Sequence, residues 1–498
     1  MSQRKFSEQE LVRRKKYEDL VAKKVDPFLE DKFDRNTTII NLNNDFSKFS
    51  KEELETNTKS FKIAGRIRAF RLAGSKAAFV SIQDQDSKIQ IYVRQDVIGE
   101  EAFELFKDLD LGDIIGVEGT MMKTKTGELT LRVSSYVLLT KALRPLPDKF
   151  HGLTDIEEKY RRRYVDLIMN EETMSTFKSR TKIIRTIQNT LDEKGYFEVE
   201  TPILNPLRGG AAAAPFSTHY NALDSEFYLR IATELHLKRL IVGGFEGVYE
   251  IGRLFRNEGI STRHNPEFTT IELYVAYENI DFLYLIAEEL IRKACMAVNN
   301  TCKIEYGGNK LDLNKPFKKW HMVDAIKEIT GVDFWKEMSH AEALKIAKKH
   351  KVHVEKHHLS VGHIINLFFE EFVESTIIEP TFITGHPVEI SPLSKRNKQD
   401  PRFTDRFELF IVGREYANAF SELNNPIDQY DRFLDQIKEA AAGNDEATDM
   451  DIDFVEALEY GMPPTAGIGL GIDRLVMLLT GRDSIKDVLL FPQLKNKD

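Results

Sequence analysis

"GVYEIGRLFRNEGISTRHNPEFTTIELYVAY", residues 247–277, settles more about this chain than any other stretch. Its two ends are rich in β-branched and aromatic residues. Its middle, "NEGISTRHNP", carries turn chemistry, so the stretch reads as two strands joined by a long loop. Side chains alternate along a strand. Thr269, Ile271, Leu273 and Val275 therefore share one, mostly apolar, face, while Phe268, Thr270, Glu272 and Tyr274 share the other. In the first strand Glu250, Gly252 and Arg256 lie together. One side of the hairpin belongs to a core; the other presents an aromatic ring, carboxylates, a phenol and a guanidinium. That second set suits a nucleotide beside a cationic small molecule. Arg256 offers a planar, two-pronged contact to phosphate that lysine cannot copy. Arg263 and His264, in the loop, reach toward outlying phosphates, Phe268 stacks on a purine, and Glu272 with Tyr274 offers acceptors for an amine. The same spacing also describes a surface hairpin with ion pairs and one core phenylalanine.

Two further segments favour the ligand-binding reading. "TAGIGLGIDRLVMLLT" sets Gly467, Gly469 and Gly471 at alternate positions, which strips one strand face of side chains and lets a ligand approach the backbone. Arg474 follows at the strand-to-helix turn, where a guanidinium covers an aromatic base. The phosphate-cradling pattern G-x-x-x-x-G-K-[ST] is absent. "FELFIVGREYANAFSELNNP" places Glu415 and Glu422 seven residues apart, with Asn418 and Phe420 between them. Carboxylates aimed at a triphosphate act through Mg²⁺. Strict alternation groups Asn418, Phe420 and Glu422 and sends Glu415 to the other face, so a shared site demands a bulge or bend between them.

Outside these segments the chain divides by pattern. Residues 1–55 read as a charged helical arm followed by a polar loop. Residues 56–145 hold five β-rich segments, with "EEAFELFKDL" between the third and fourth, the layout of an OB-type barrel that offers a sheet face to single-stranded nucleic acid. A linker covers 146–172, held extended by the prolines of "LRPLPDKFHGL". Residues 173–498 form a large mixed domain whose 281–381 portion is mainly helical; "YFEVETPIL" within it reads as a strand. The whole is α+β. The four histidines of "KKHKVHVEKHHLS" lack partners at ligand spacing and read as solvated surface residues.

With 498 residues the chain exceeds one ordinary core. It has no apolar run long enough for a membrane span and no signal-peptide core, so a cytoplasmic protein is expected. Two cysteines, Cys295 and Cys302, are too few for a disulfide framework or a four-thiolate zinc site. The net charge of −9 argues against indiscriminate coating of nucleic acid. It is uneven: residues 1–144 carry 26 Lys and Arg against 23 Asp and Glu, a balance of +3, leaving −12 to the remainder.

These motifs, in this order, resemble the class II aminoacyl-tRNA synthetases of subclass IIb, and within them the bacterial-type lysyl branch. "EKGYFEVETPIL" is similar to motif 1, "FRNEGISTRHNPEFT" to motif 2 and "GLGIDRLVMLLT" to motif 3. "RGGAAAAPF", "RIATELHLKRLIVGGFEGVYEIG", "ISPLSK" and "SELNNPIDQYDRFLDQ" resemble the lysine branch rather than its aspartate and asparagine relatives. The resemblance implies an antiparallel catalytic sheet flanked by helices, a homodimer built partly through motif 1, and formation of lysyl-adenylate from L-lysine and ATP before transfer to tRNA(Lys). It implies that Arg256 holds the α-phosphate and the lysine carboxylate, that Arg263 and His264 meet the outer phosphates, and that Phe268 and Arg474 sandwich adenine with help from Glu258 and Asn265. Glu234 takes the α-amino group. Glu272, Tyr274 and Glu422 form the side-chain amine pocket beside Gly210, Asn418 and Phe420, and Glu415 with Glu422 binds Mg²⁺. In the barrel it implies that Phe79 and Gln90 read anticodon uridines, with Arg66 and Glu128 as further contacts.

One position departs from the family pattern: Ala214 stands where "GGAxARPF" has arginine. A non-catalytic tRNA-binding paralogue would have lost Arg256, Arg474, Glu415 or Glu422, and all are present. A IIb enzyme for another amino acid would lack the acidic amine pocket, and a protein-lysylating relative would lack the barrel.

Overall fold

The computed structural model describes residues 5–147, 155–444 and 448–495. The chain divides into two compact units, Met1–Thr154 and Asp155–Asp498.

The first unit begins with three helices, α1 (Glu8–Ala22), α2 (Ile39–Phe46) and α3 (Lys51–Thr56). Five strands follow: β1 (Ser60–Leu72), β2 (Ala77–Gln83), β3 (Lys88–Arg94), β4 (Ile114–Lys123) and β5 (Leu129–Thr140). They close into a barrel in the order β1–β2–β3–β5–β4. Two short helices, α4 (Gln95–Ile98) and α5 (Glu100–Lys107), connect β3 to β4. Alternation drives the closure: Val80, Ile82, Ile89, Ile91 and Val93 point inward and are buried, while Phe79, Gln90 and Tyr92 face out. The stretch expected as a polar loop contains α2 and α3. Ile39, Leu42 and Phe46 make a helical stripe that joins the barrel core, and Thr38 caps α2 through the amide of Asn41.

The second unit opens with α6 (Ile156–Arg161), α7 (Arg163–Met169) and α8 (Glu171–Asp192). The expected linker is thus helical from Ile156 onward, and its residues 148–154 lie outside the described ones. Strand β6 covers only Phe197–Glu198 of the segment read as a longer strand. A small sheet of β7 (Leu204–Asn205), β8 (Ser217–Tyr220) and β9 (Ser225–Leu229) precedes α9 (Glu234–Val242) and the opening hairpin, β10 (Gly247–Phe255) and β11 (Glu267–Ala276). The loop between the hairpin strands falls where the turn residues place it.

Segment 281–381 is largely helical, with α10 (Ile280–Asn299), α11 (Met322–Thr330), α12 (His340–His350) and α13 (Val361–Phe368). It also holds the hairpin β12 (Lys303–Tyr306)–β13 (Asn309–Asp312) and strand β14 (Lys318–His321). Helix α10 is no appendage: Leu283, Ile286, Ala287, Leu290, Ile291 and Ala294 belong to the main core. The chain ends through β15 (Thr381–Thr384), β16 (Arg406–Phe410), β17 (Glu415–Ser421), α14 (Pro426–Ala441), α15 (Ile452–Glu459), β18 (Thr465–Gly471), α16 (Ile472–Thr480) and α17 (Ile485–Val488).

One eight-stranded sheet, in the order β14–β15–β16–β17–β18–β11–β10–β6, spans this unit. Its central pairs are antiparallel; β14–β15 and β10–β6 are parallel. On one face α8, α10 and α16 bury Ile183, Ile187, Leu290, Leu475 and Val476 against Ile271, Leu273, Ile468 and Leu470. Each such side chain fully buried is worth about 1.5–3 kcal/mol. The opposite face of the same strands carries the polar set. Among the described residues no helix is long and apolar enough to cross a membrane.

Candidate active site

Register builds the site. Across the sheet, Glu250, Glu272, Gly469, Asn418 and Glu408 lie in one row of paired residues. Val248, Tyr274, Gly467, Phe420 and Arg406 lie in the next. Paired residues point the same way from a pleated sheet, so both rows face the same side. A hollow of about 360 Å³ opens over them, lined by Phe268 and Arg474 together with Arg256, Glu258, Arg263, His264, Asn265, Glu272, Tyr274 and Gly210. A second cavity of about 700 Å³ shares Glu234, Arg256, Glu415, Asn418, Phe420 and Arg474, and extends to His357, His358 and Gln436. Those two histidines, expected on the solvated surface, are half-buried instead.

At the arginine end, the Arg256 guanidinium lies 5.3 Å from the Phe268 ring. Its Nε is buried without a hydrogen-bond partner. Neither Arg256 nor Arg263 makes an ion pair among the described residues, so both cations are available to an anion. His264 sits beside Arg474, Arg263 and Arg256; burial first, then those cations, holds its pKa below the usual value and keeps the ring neutral. Asn265 is spent on backbone, donating from Nδ2 to the Glu267 carbonyl at 2.6 Å. Arg474 donates to the Glu415 carbonyl at 2.6 Å and to Glu415 Oε2 at 3.1 Å. Its turn is anchored by the neighbouring Asp473, which accepts from the Thr269 amide at 2.7 Å and pairs with Arg180. Sequence reasoning passed over Arg180 and Asp473; the signal was the Asp of "GIDR" beside a glycine-rich strand.

At the other end three carboxylates converge. Glu272 accepts from the Thr233 amide at 3.1 Å and from the Tyr274 hydroxyl at 3.0 Å, so Tyr274 acts as a donor to Glu272 rather than as a second acceptor. Burial and the nearby Glu234 charge push the Glu272 carboxyl up to about 7. Glu234, at the start of α9, is raised by burial against the pull of Lys238. Glu422 is completely buried, pairs with Lys238 and is likewise raised by burial. Its Oε1 has no hydrogen-bond partner and lies where a Cβ on Gly467 would be, 2.0 Å away.

The bulge demanded between Glu415 and Glu422 is present. Leu409 pairs with Ala417 but Phe410 with Glu415, leaving Tyr416 as the extra residue of β17. Tyr416 and Ala417 both join the core, and Glu415 swings to the ligand side with Asn418. Glu422 nevertheless does not line either cavity beside Glu415: its Oε1 fills the space over Gly467 on the ligand side of the sheet, next to the Tyr274 ring, and its Oε2 pairs with Lys238. The carboxylate beside Glu415 is Glu408, which lines the larger cavity with it. Burial raises Glu408 to about 7, with the charges of Glu415 and Glu370 adding to the rise and Arg406 opposing it. Two carboxylates lining one cavity fit a divalent cation. Among the described residues no group of three or more His, Cys, Asp or Glu could hold a metal alone.

With this geometry in place, comparison with known proteins is decisive. The family model described as tRNA synthetases class II (D, K and N) matches residues 155–495. The chain belongs to the class II tRNA synthetases of the D, K and N group. A second model, described as an OB-fold nucleic acid binding domain, matches residues 61–139. Relatives include the lysine–tRNA ligase of Mycoplasma capricolum, 69% identical over the full length of both chains, and that of Mycoplasma mycoides, 68% identical over the same extent. The lysine–tRNA ligase of Listeria monocytogenes is 56% identical over 99% of this chain and 98% of its own.

Within this class II synthetase the loop bearing Ala214 is held at both ends. The Ala214 carbonyl accepts from the Asn257 amide at 2.8 Å, and Arg208 pairs with Asp449 at 2.8 Å. On the barrel, Phe79 stacks on Tyr92 with centroids 4.6 Å apart, and Arg71 lies 5.4 Å over the Phe79 ring. Gln90 donates to Thr130 Oγ1 at 3.0 Å on the same face. Glu128 sits two residues before Thr130, in the turn closed by its amide on Thr124 Oγ1 at 3.0 Å. Arg66 is not brought to this group: it pairs with Gln83, farther along β2, and donates to the Gly112 carbonyl at 2.8 Å. Arg71, which sequence reasoning missed, is the arginine opposite Phe79.

Proposed function

We propose that this chain is a lysine–tRNA ligase. It joins L-lysine to ATP, forming lysyl-adenylate and releasing pyrophosphate, and then passes the lysyl group to the 3′-terminal adenosine of tRNA(Lys). The observation that carries the reading is one hollow with unpaired arginines at one end and a cage of buried carboxylates at the other. The reaction needs no nucleophile from the protein. A lysine carboxylate oxygen attacks the α-phosphorus, the α–β P–O bond breaks, and its electron pair leaves with pyrophosphate. The chain supplies alignment and charge: Arg256 faces the α-phosphate and the lysine carboxylate, Arg263 and His264 the outer phosphates, and Phe268 with Arg474 the adenine. Glu258 and Asn265 complete the wall. Glu234 takes the α-ammonium, and Glu422 Oε1 with Glu272 the side-chain ammonium. A neutral side chain would leave those acids unpaired, which is a strong basis for selection.

Mg²⁺ would be held by Glu408 and Glu415, in place of the Glu415–Glu422 pair expected from the sequence; when bound, it neutralises triphosphate oxygens. Phe79, Tyr92, Gln90 and Arg71 form the face for anticodon bases. Exposed Phe197, Ile203, Leu204 and Leu207 around the first motif support a homodimer. The enzyme works in the cytoplasm, where tRNA is charged.

The test is ATP–pyrophosphate exchange with a single amino acid added. Exchange with lysine and not with aspartate or asparagine is the expected result. Exchange with either of the others, and none with lysine, overturns the assignment.

A further inference from the structure

Lys238 lies on α9 one turn beyond Glu234 and has no surface in contact with solvent. Its ammonium donates to Glu234 Oε1 at 2.6 Å and pairs with Glu422 Oε2. The rings of Phe420 and Phe454 close over it at 5.5 and 5.9 Å. Each of the two acids therefore commits one oxygen to the protein's own cation. The free oxygen of Glu422, Oε1, is buried, has no hydrogen-bond partner and rests against Gly467 and the Tyr274 ring, both of which line the smaller cavity. With Glu234, Glu272 and Glu422 ionised, three negative charges meet one resident positive charge.

We propose that Lys238 is a positioning and specificity residue for amino-acid selection. It holds Glu234 and Glu422 with one oxygen each toward the substrate, and it leaves the pocket two positive charges short. Two is the number carried by the α- and side-chain ammoniums of lysine, whose carboxylate goes to Arg256. The inference rests on the lysine-activation reading above. Other charged groups facing the cluster are Arg406, whose field reaches Glu234, and Lys395, whose field reaches Glu422. Neither contacts the two carboxylates as Lys238 does. A lysine at this depth is costly unless paired on more than one side, so its double pairing is specific to this arrangement.

The full chain carrying Lys238→Met, which keeps the apolar stem and deletes the charge, is assayed by ATP–pyrophosphate exchange. KM for lysine should rise at least about tenfold, with KM for ATP unchanged within about twofold. The preference for lysine over norleucine, the same carbon chain without the side-chain amine, used as a competitive inhibitor, should fall by at least about tenfold. Lys238→Gln, which retains a donor but no charge, carries the same test if the Met variant does not fold. Folded variants with a wild-type lysine KM and preference overturn the proposal. So do variants in which the KM values for lysine and ATP rise together, which is plain structural damage. The unaltered chain run alongside separates the two readings: lysine-dependent exchange there, with unaffected variants, removes only the role of Lys238.

Discussion

Gly467→Ala is the most exacting perturbation of the amine end. A Cβ built at this position meets Glu422 Oε1 at 2.0 Å and Tyr274 Cε1 at 2.6 Å. An ordinary contact needs about 3.4–4 Å, so the carboxylate or the ring must move by more than an ångström. Glu422 cannot back away, because its other oxygen is fixed on Lys238 in a fully buried site. Forcing a methyl into such packing costs about 1–3 kcal/mol of stability. The displaced oxygen loses a charge-assisted contact to the lysine ammonium, worth about 1.5–3 kcal/mol. That converts to a fall of about 10- to 150-fold in kcat/KM for lysine. Gly469 is the internal control: its Cβ would find nothing nearer than 3.8 Å. Gly469→Ala should leave thermal stability within about 0.5 kcal/mol of wild type, although its methyl enters the ligand space. The assays are thermal melts of both variants and exchange kinetics with lysine varied at saturating ATP. A Gly467→Ala protein with wild-type stability and a wild-type KM for lysine would refute the placement of Glu422.

Arg256→Ala should lower exchange by at least about 10²-fold, the cost of losing one donor aimed at developing charge, with circular dichroism unchanged; near-normal exchange removes its role. Phe79→Ala should leave exchange intact and lower kcat/KM for tRNA charging by about 5- to 150-fold, the value of one base stack. Arg71→Ala should weaken charging too, and Arg66→Ala far less. The raised Glu272 carboxyl gives a pH signature. Because its folded value is pushed up to about 7, it contributes stability below about pH 4.5 that is lost as pH rises through about 7. A lysine ammonium beside it favours the ionised form. Lysine binding near pH 6.5 should therefore release up to about 0.8 proton from Glu272, read by calorimetry in two buffers of different ionisation enthalpy, and Glu272→Gln should lower the release. Equal heats in both buffers would contradict it.

The opening hairpin was legible because a two-residue period leaves little choice once one face is apolar. The same rule exposed the difficulty at Glu415, and the bulge at Tyr416 resolves it. It did not reveal which neighbour Glu415 would meet. Glu408, Glu415 and Glu422 recur every seven residues, and only the position of the extra residue decides which two share a cavity. Lys238 was invisible because "ELHLKRL" reads as an ordinary helical Glu–Lys pair on a solvated face. Its burial comes from Phe420 and Phe454, far off in the chain. Arg71 and Arg66 could not be ranked without the strand register. Helix α2 escaped because its three core residues are diluted by asparagines.

The extra residue at Tyr416 makes β17 two half-strands geared out of step. Substitution can adjust the triphosphate half or the ammonium half separately. Loss of the extra residue would make Leu409–Ala417 and Phe410–Glu415 consecutive pairs, so Glu415 would stay on the face of Asn418 while the local bend of the strand disappeared. The direction of Glu415 thus depends on the number of residues separating it from Asn418 and not on their chemistry.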